Sequence, residues 1–174
     1  MNVPRRALLG VALALVLGVG AYVALRPSDD SQIRGKLKQL AVAVRITEAD
    51  MQANPIGRLS HVIGALEPVL DRDVRVSVPE LTTLASGRRE LAELFTAAPR
   101  YVRTFDVEFD SVTVKIDDVG TSALVGATAE VKALDRDDRS RNDRRAVDFR
   151  FAKQDGDWVI TTLSVWPKSD ATPQ

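Results

Sequence analysis

Residues 122–133 read SALVGATAEVKA. Ala123, Val125, Ala127, Ala129, Val131 and Ala133 alternate with Ser122, Leu124, Gly126, Thr128, Glu130 and Lys132. An apolar period of two sustained over this length is a strand with one buried face. Its small side chains predict close packing or a hollow beneath them. Downstream, Val147, Phe149 and Phe151 alternate with Asp148 and Arg150, with Lys153 one step out of phase. Upstream, Phe105, Val107 and Phe109 alternate with Asp106, Glu108 and Asp110, and then the apolar set slips by one to Val112, Val114 and Ile116. A slip of this kind is the signature of a bulge, and bulges bend sheets. The last strand differs, with Val159, Leu163 and Val165 on one side and Trp158, Ile160 and Trp166 on the other. Such a strand is covered on both faces, or lies where the sheet curls or meets a partner. Tyr101 to Trp166 therefore reads as four long consecutive strands of one bent antiparallel sheet.

The residues before it read as helices that cover the sheet. Asp30 or Ser31 can cap a first helix, and Ile33, Leu37, Leu40 and Val44 fall on one of its faces. Asn54-Pro55 opens a second, with Ile56, Leu59, Val62 or Ile63, and Leu66 as its apolar side and Pro68 as its end. Val74, Val76 and Val78 mark a short strand, and Pro79 starts a turn that carries Leu81 and Leu84. Ser86-Gly87 leads into a third helix with Leu91, Leu94, Phe95 and Ala98 inward and Pro99 closing it. Residues 135–145, with five arginines and four aspartates, read as a solvated hairpin tip or a recognition loop.

At the N-terminus, Ala7 to Leu25 is uncharged and follows Arg5 and Arg6. As a helix it would be about 28 Å long, enough to cross the hydrocarbon of a bilayer. The reading is an uncleaved anchor with its N-terminus cytoplasmic and the folded domain extracytoplasmic. Cleavage after Val19-Gly20-Ala21 would instead leave a secreted or periplasmic protein, and Arg5-Arg6 leaves a twin-arginine export signal as a third reading. Residues 1–28 form the anchor or signal segment, residues 29–167 one α+β domain, and residues 168–174 a loose tail.

Composition excludes several classes of function. There is no cysteine, so disulfides, thiolate metal sites and a Cys nucleophile are ruled out. A single histidine, His61, rules out a multi-histidine metal site. Residues 1–28 hold three arginines and no acid, so 21 basic and 24 acidic side chains remain beyond them. That balance gives no support for a nucleic-acid partner. No motif calls for a cofactor.

The order of elements resembles the nuclear transport factor two-like (SnoaL-like) superfamily. The resemblance is carried by Val74-Arg75-Val76, by Ser86-Gly87-Arg88-Arg89-Glu90-Leu91, and by Asp157-Trp158 after Asp155-Gly156. It implies a cone, with a pocket between about three helices and a concave sheet. Some members are isomerases, cyclases or dehydratases, and many are non-catalytic ligand-binding or dimerisation modules. A membrane span before such a domain is similar to the assembly component of type IV secretion machines and to small proteins associated with mycobacterial cell-entry transporters. Catalytic members of this kind project an acid or base into the cone. Here Asp106, Glu108, Glu130 and Asp148 fall on the opposite face, which leaves His61, Tyr101 and Asp110 as catalytic candidates. The expectation is a non-catalytic binding or assembly module of the envelope. It would work through Trp158 and Trp166, read as sharing one face, or through Arg139 and Arg141. Other envelope proteins, a second copy or a small apolar ligand would be its partners. The alternative is an isomerase, cyclase or dehydratase that uses the cone pocket.

Overall fold

The computed structural model describes residues 27–78 and 85–166. The expected membrane span at residues 7–25, the turn carrying Leu81 and Leu84, and the tail at residues 168–174 lie outside the described residues. No described helix is long and apolar enough to cross a membrane.

Three helices precede the long strands. Helix α1 is Asp29–Val44, and its cap is Ser28, whose Oγ accepts from the Ser31 N–H at 3.3 Å. The cap thus lies just upstream of the expected Asp30 or Ser31. Ile33, Leu37, Leu40 and Val44 are buried as the spacing predicts. Helix α2 is Pro55–Leu66, capped by Asn54 through a 3.0 Å bond from the Ile56 N–H. Val62 and Leu66 face the core, but Ile56, expected beside them, is 79% exposed, and Arg58 is buried. Helix α3 is Arg88–Ala97; Leu91 and Ala92 are buried, while Leu94, expected inward, is exposed.

The sheet comprises β1 (Leu70–Ser77), β2 (Ala85–Ser86), β3 (Val102–Ile116), β4 (Ser122–Asp135), β5 (Ser140–Gln154) and β6 (Asp157–Val165). Their order is β2-β1-β6-β5-β4-β3. The four long strands pair antiparallel in sequence order, as expected. The sheet as a whole is nevertheless mixed, because β1 lies parallel to β6.

Two bulges bend it. In β3 the register shifts between Asp110 and Thr113, with Ser111 at φ 52°. That is where the apolar phase slips in the sequence. The second bulge was not legible. In β6, Thr162 pairs with Arg150 and Ile160 pairs with Phe151, so Thr161 is the extra residue. Trp158 and Ile160 therefore share the inner face with Leu163 and Val165, and Trp166 points outward. This corrects the reading that put Trp158 and Trp166 on one face. The arginine-rich loop is also shorter than expected: β4 runs to Asp135 and β5 starts at Ser140. Charged residues can continue a strand where both faces meet water, and hydrophobic alternation gives no sign of it there.

At one end of the sheet, Trp158, Phe149 and Phe151 are buried against Ile33, Leu37 and Leu66. The Phe109 and Phe149 rings meet edge-on, with centroids 5.4 Å apart. The Trp158 indole N–H donates to Asp29 Oδ1 at 2.9 Å, and Lys153 Nζ donates to the same oxygen at 2.8 Å. The start of α1 is thereby pinned to the packed end of the curved sheet, and the C-terminal half of α1 leads toward its open end.

Candidate active site

The open end holds a cavity of about 540 Å³. Leu40 and Val44 of α1 and Leu91 and Phe95 of α3 form one wall. Phe105, Val107 and Phe109 of β3, Ala129 and Val131 of β4, and Leu163 and Val165 of β6 form the other. Two structural features make the hollow. The small residue Ala129 lies where a larger side chain would reach the helices. The β3 bulge bends the sheet, leaving the floor concave.

Asp143 and Arg145 are the only ionisable residues lining this cavity among the described residues. Both lie on β5, in phase with Val147, Phe149 and Phe151, so the alternation that buries those three carries Asp143 and Arg145 onto the inner face. Arg145 Nε lies 2.7 Å from Asp143 Oδ2. The Arg144 backbone N–H donates to Asp143 Oδ1 at 2.9 Å. Each carboxylate oxygen thus has a donor, and the pair is partly exposed at the mouth. A carboxylate fixed at the edge of an apolar cavity can exchange a proton with a bound molecule. A guanidinium beside it can face negative charge that develops there.

The residues singled out from sequence lie elsewhere. His61 is exposed on α2, in a separate groove with Lys38, Arg45 and Asp50. Tyr101, just ahead of β3, is 73% exposed. Asp110 lines a groove between α1 and β3 with Arg34 and Lys38. Trp158 is fully buried, and its indole N–H is used by Asp29. Trp166 is half exposed on the outer face, donating to Asp148 Oδ2 at 2.8 Å. Arg139 sits in the β4–β5 turn, 3.5 Å from Asp137, and Arg141 begins the exposed end of β5, 4.0 Å from Asp135. Sequence reasoning missed Asp143 and Arg145 because it ended the strand at Val147. Counting the alternation back by two and by four would have found them.

No protein-family model matches the chain, and no curated protein sequence does. Solved structures do match. A nuclear transport factor 2-like superfamily protein from Salmonella enterica superposes with a TM-score of 0.53 at 14% identity, over 69% of this chain and 92% of its own. The chain shares the fold of that structure. A hexachlorocyclohexane dehydrochlorinase, LinA-type3, from Novosphingobium barchaimii gives a TM-score of 0.59 at 11% identity, over 79% of this chain and 84% of its own. A candidate scytalone dehydratase from Novosphingobium aromaticivorans gives 0.59 at 12% identity, over 77% and 80%. These likenesses correct the expectation of a non-catalytic binding or assembly module. Its premise, an inner face without a carboxylate, fails at Asp143. The solved structures that share the fold include a dehydrochlorinase and a candidate scytalone dehydratase, so the fold gives no preference for a non-catalytic module.

Proposed function

We propose that this domain is a small-molecule enzyme of the isomerase, cyclase or dehydratase kind, acting on an apolar substrate in the cone cavity. One observation carries the reading: an apolar cavity of about 540 Å³ whose ionisable lining, among the described residues, is a single carboxylate–guanidinium pair. The size suits a small organic molecule, and the apolar wall excludes water from whatever fills it. In the proposed reaction, Asp143 takes a proton from a carbon beside a carbonyl group. The electron pair moves onto the carbonyl oxygen, and Arg145 faces the charge that forms there. The proton then returns at a second carbon, which is an isomerisation, or to a departing hydroxyl, which is a dehydration.

The test needs no knowledge of the substrate. A panel of apolar enolisable ketones in deuterium oxide, followed by proton NMR, reports carbon-bound protons lost to solvent. Asp143→Asn keeps the shape and removes the base, so the accelerated exchange should fall by about 10²–10⁴-fold. Exchange at the wild-type rate in Asp143→Asn would remove the proposal.

A further inference from the structure

We infer a second ligand site, outside the cone, that takes a small organic acid with an apolar body. It is a cavity of about 470 Å³ between the short helical turn Glu48–Met51, α2, α3 and the β4–β5 turn. It shares no lining residue with the cone cavity.

The first observation is charge. Five charged residues line it: Asp50, Glu93, Arg58, Arg100 and Arg136. Both acids are already engaged. Asp50 Oδ2 accepts from the Thr47 N–H at 2.7 Å and from the Thr47 hydroxyl at 2.8 Å, and Asp50 Oδ1 pairs with Arg58 Nη1. Burial pushes the Asp50 carboxyl up, but the Thr47 and Arg58 contacts outweigh it and hold the group below its ordinary range. Glu93 pairs with Arg89 at 3.1 Å. Arg58 answers Asp50, but the other two cations are not matched in return. Arg136 donates to the Pro99 carbonyl and has no carboxylate partner among the described residues, and Arg100 has none either.

The second observation is a buried donor. Arg58 is 8% exposed, and it lines this cavity. Its Nη2 reaches the Phe95 carbonyl at 3.3 Å and its Nη1 is held by Asp50, but its Nε has no hydrogen-bond partner among the described residues. Buried polar groups nearly always have partners, and a guanidinium is costly to leave short of them. Two guanidiniums without a carboxylate, beside a third that keeps a spare Nε–H, select an anion, and a carboxylate suits their planar donors.

The third observation is the rest of the lining. Met51, Pro55, Ile56, Leu59 and Pro99 are apolar, and Ile56 is 79% exposed. A bare inorganic anion would leave that surface wet. A carboxylate with a short aliphatic chain would use both halves.

The experiment is an NMR titration of the full chain with hexanoate, read at the arginine Nε–H resonances. Hexanol carries the chain without the charge, and inorganic phosphate the charge without the chain. Hexanoate should shift the Arg58 Nε–H saturably, and hexanol and phosphate should do so only weakly. Arg100→Gln and Arg136→Gln, which leave Arg58 and the core intact, should each weaken hexanoate by about tenfold, the scale of one charge-assisted contact. Ala129→Phe, which obstructs the cone, should leave the titration unchanged. A linear, unsaturated shift, equal binding of hexanol or of phosphate, or full affinity in the Arg100→Gln, Arg136→Gln double variant would overturn the site. Loss of binding in Ala129→Phe would assign the signal to the cone instead and overturn it equally.

Discussion

Asp29 opens α1, yet its carboxylate does its work across the fold, receiving Lys153 Nζ and the Trp158 indole N–H on one oxygen. Those hydrogen bonds, Lys153 first and Trp158 second, hold the carboxyl below its ordinary 3.8. A carboxyl with a depressed folded value adds stability that is fully present above the unfolded value and lost as pH falls through the folded one. The wild-type domain should therefore lose thermal stability as pH drops below about 4, more steeply than other carboxylates alone would cause. In Asp29→Asn that part of the slope should be missing, and the neutral-pH stability should be lower because Lys153 loses its counter-charge. Tm measured between pH 3 and pH 7 for both proteins checks this; parallel curves would mean the contact contributes nothing. The residue scale is also where the sequence was least informative. Nothing in the run of α1 announces that its first aspartate reaches a lysine and an indole more than a hundred positions away. Likewise, Arg58 looks like a surface residue between Gly57 and Leu59.

Elements were far more legible, and the exceptions have a common cause. The β3 bulge could be read because the apolar residues fall on odd positions before the slip and on even positions after it, while Phe105, Val107, Phe109, Val112 and Val114 all pack on the same core. The β6 bulge could not, because Trp158, Val159, Ile160, Leu163, Val165 and Trp166 make both phases apolar, and one extra residue then leaves no mark. At the other extreme, Asp143 and Arg145 extend β5 with charge on both faces, so alternation also falls silent there. Register, which decides where each side chain points, is lost in both cases. Tryptophan fluorescence tests the β6 register directly. Trp158 is fully buried and Trp166 half exposed. In Trp158→Phe the remaining emission should be red-shifted and readily quenched by acrylamide; in Trp166→Phe it should be blue-shifted and protected. Equal quenching of the two single-tryptophan proteins would mean that β6 carries no bulge.

At the scale of the whole molecule, a cone stays hollow only if its closed end is stable enough without packing at its open end. The buried cluster of Trp158, Phe149, Phe151, Leu37 and Leu66 gives that stability to one end. Toward the mouth the inner face passes to Ala129, Val131, Arg145 and Asp143, which leaves space between sheet and helices. A protein selected for stability alone would fill that space, since each buried methylene is worth about 0.8 kcal/mol. Ala129→Phe puts a ring where the hollow is. If the cavity is a real void, the ring enters space that is already there. Stability should then change by less than about 1.5 kcal/mol, the range of tolerated core swaps, or rise. Binding of an apolar fluorescent probe, and any proton exchange that depends on Asp143, should be lost together. If the helices instead close onto the sheet in solution, the same ring overpacks a filled core and should cost about 1–3 kcal/mol. Urea unfolding and probe titration on one pair of proteins distinguish these outcomes. A destabilised Ala129→Phe that still bound the probe would show that the open cone is not where a ligand sits.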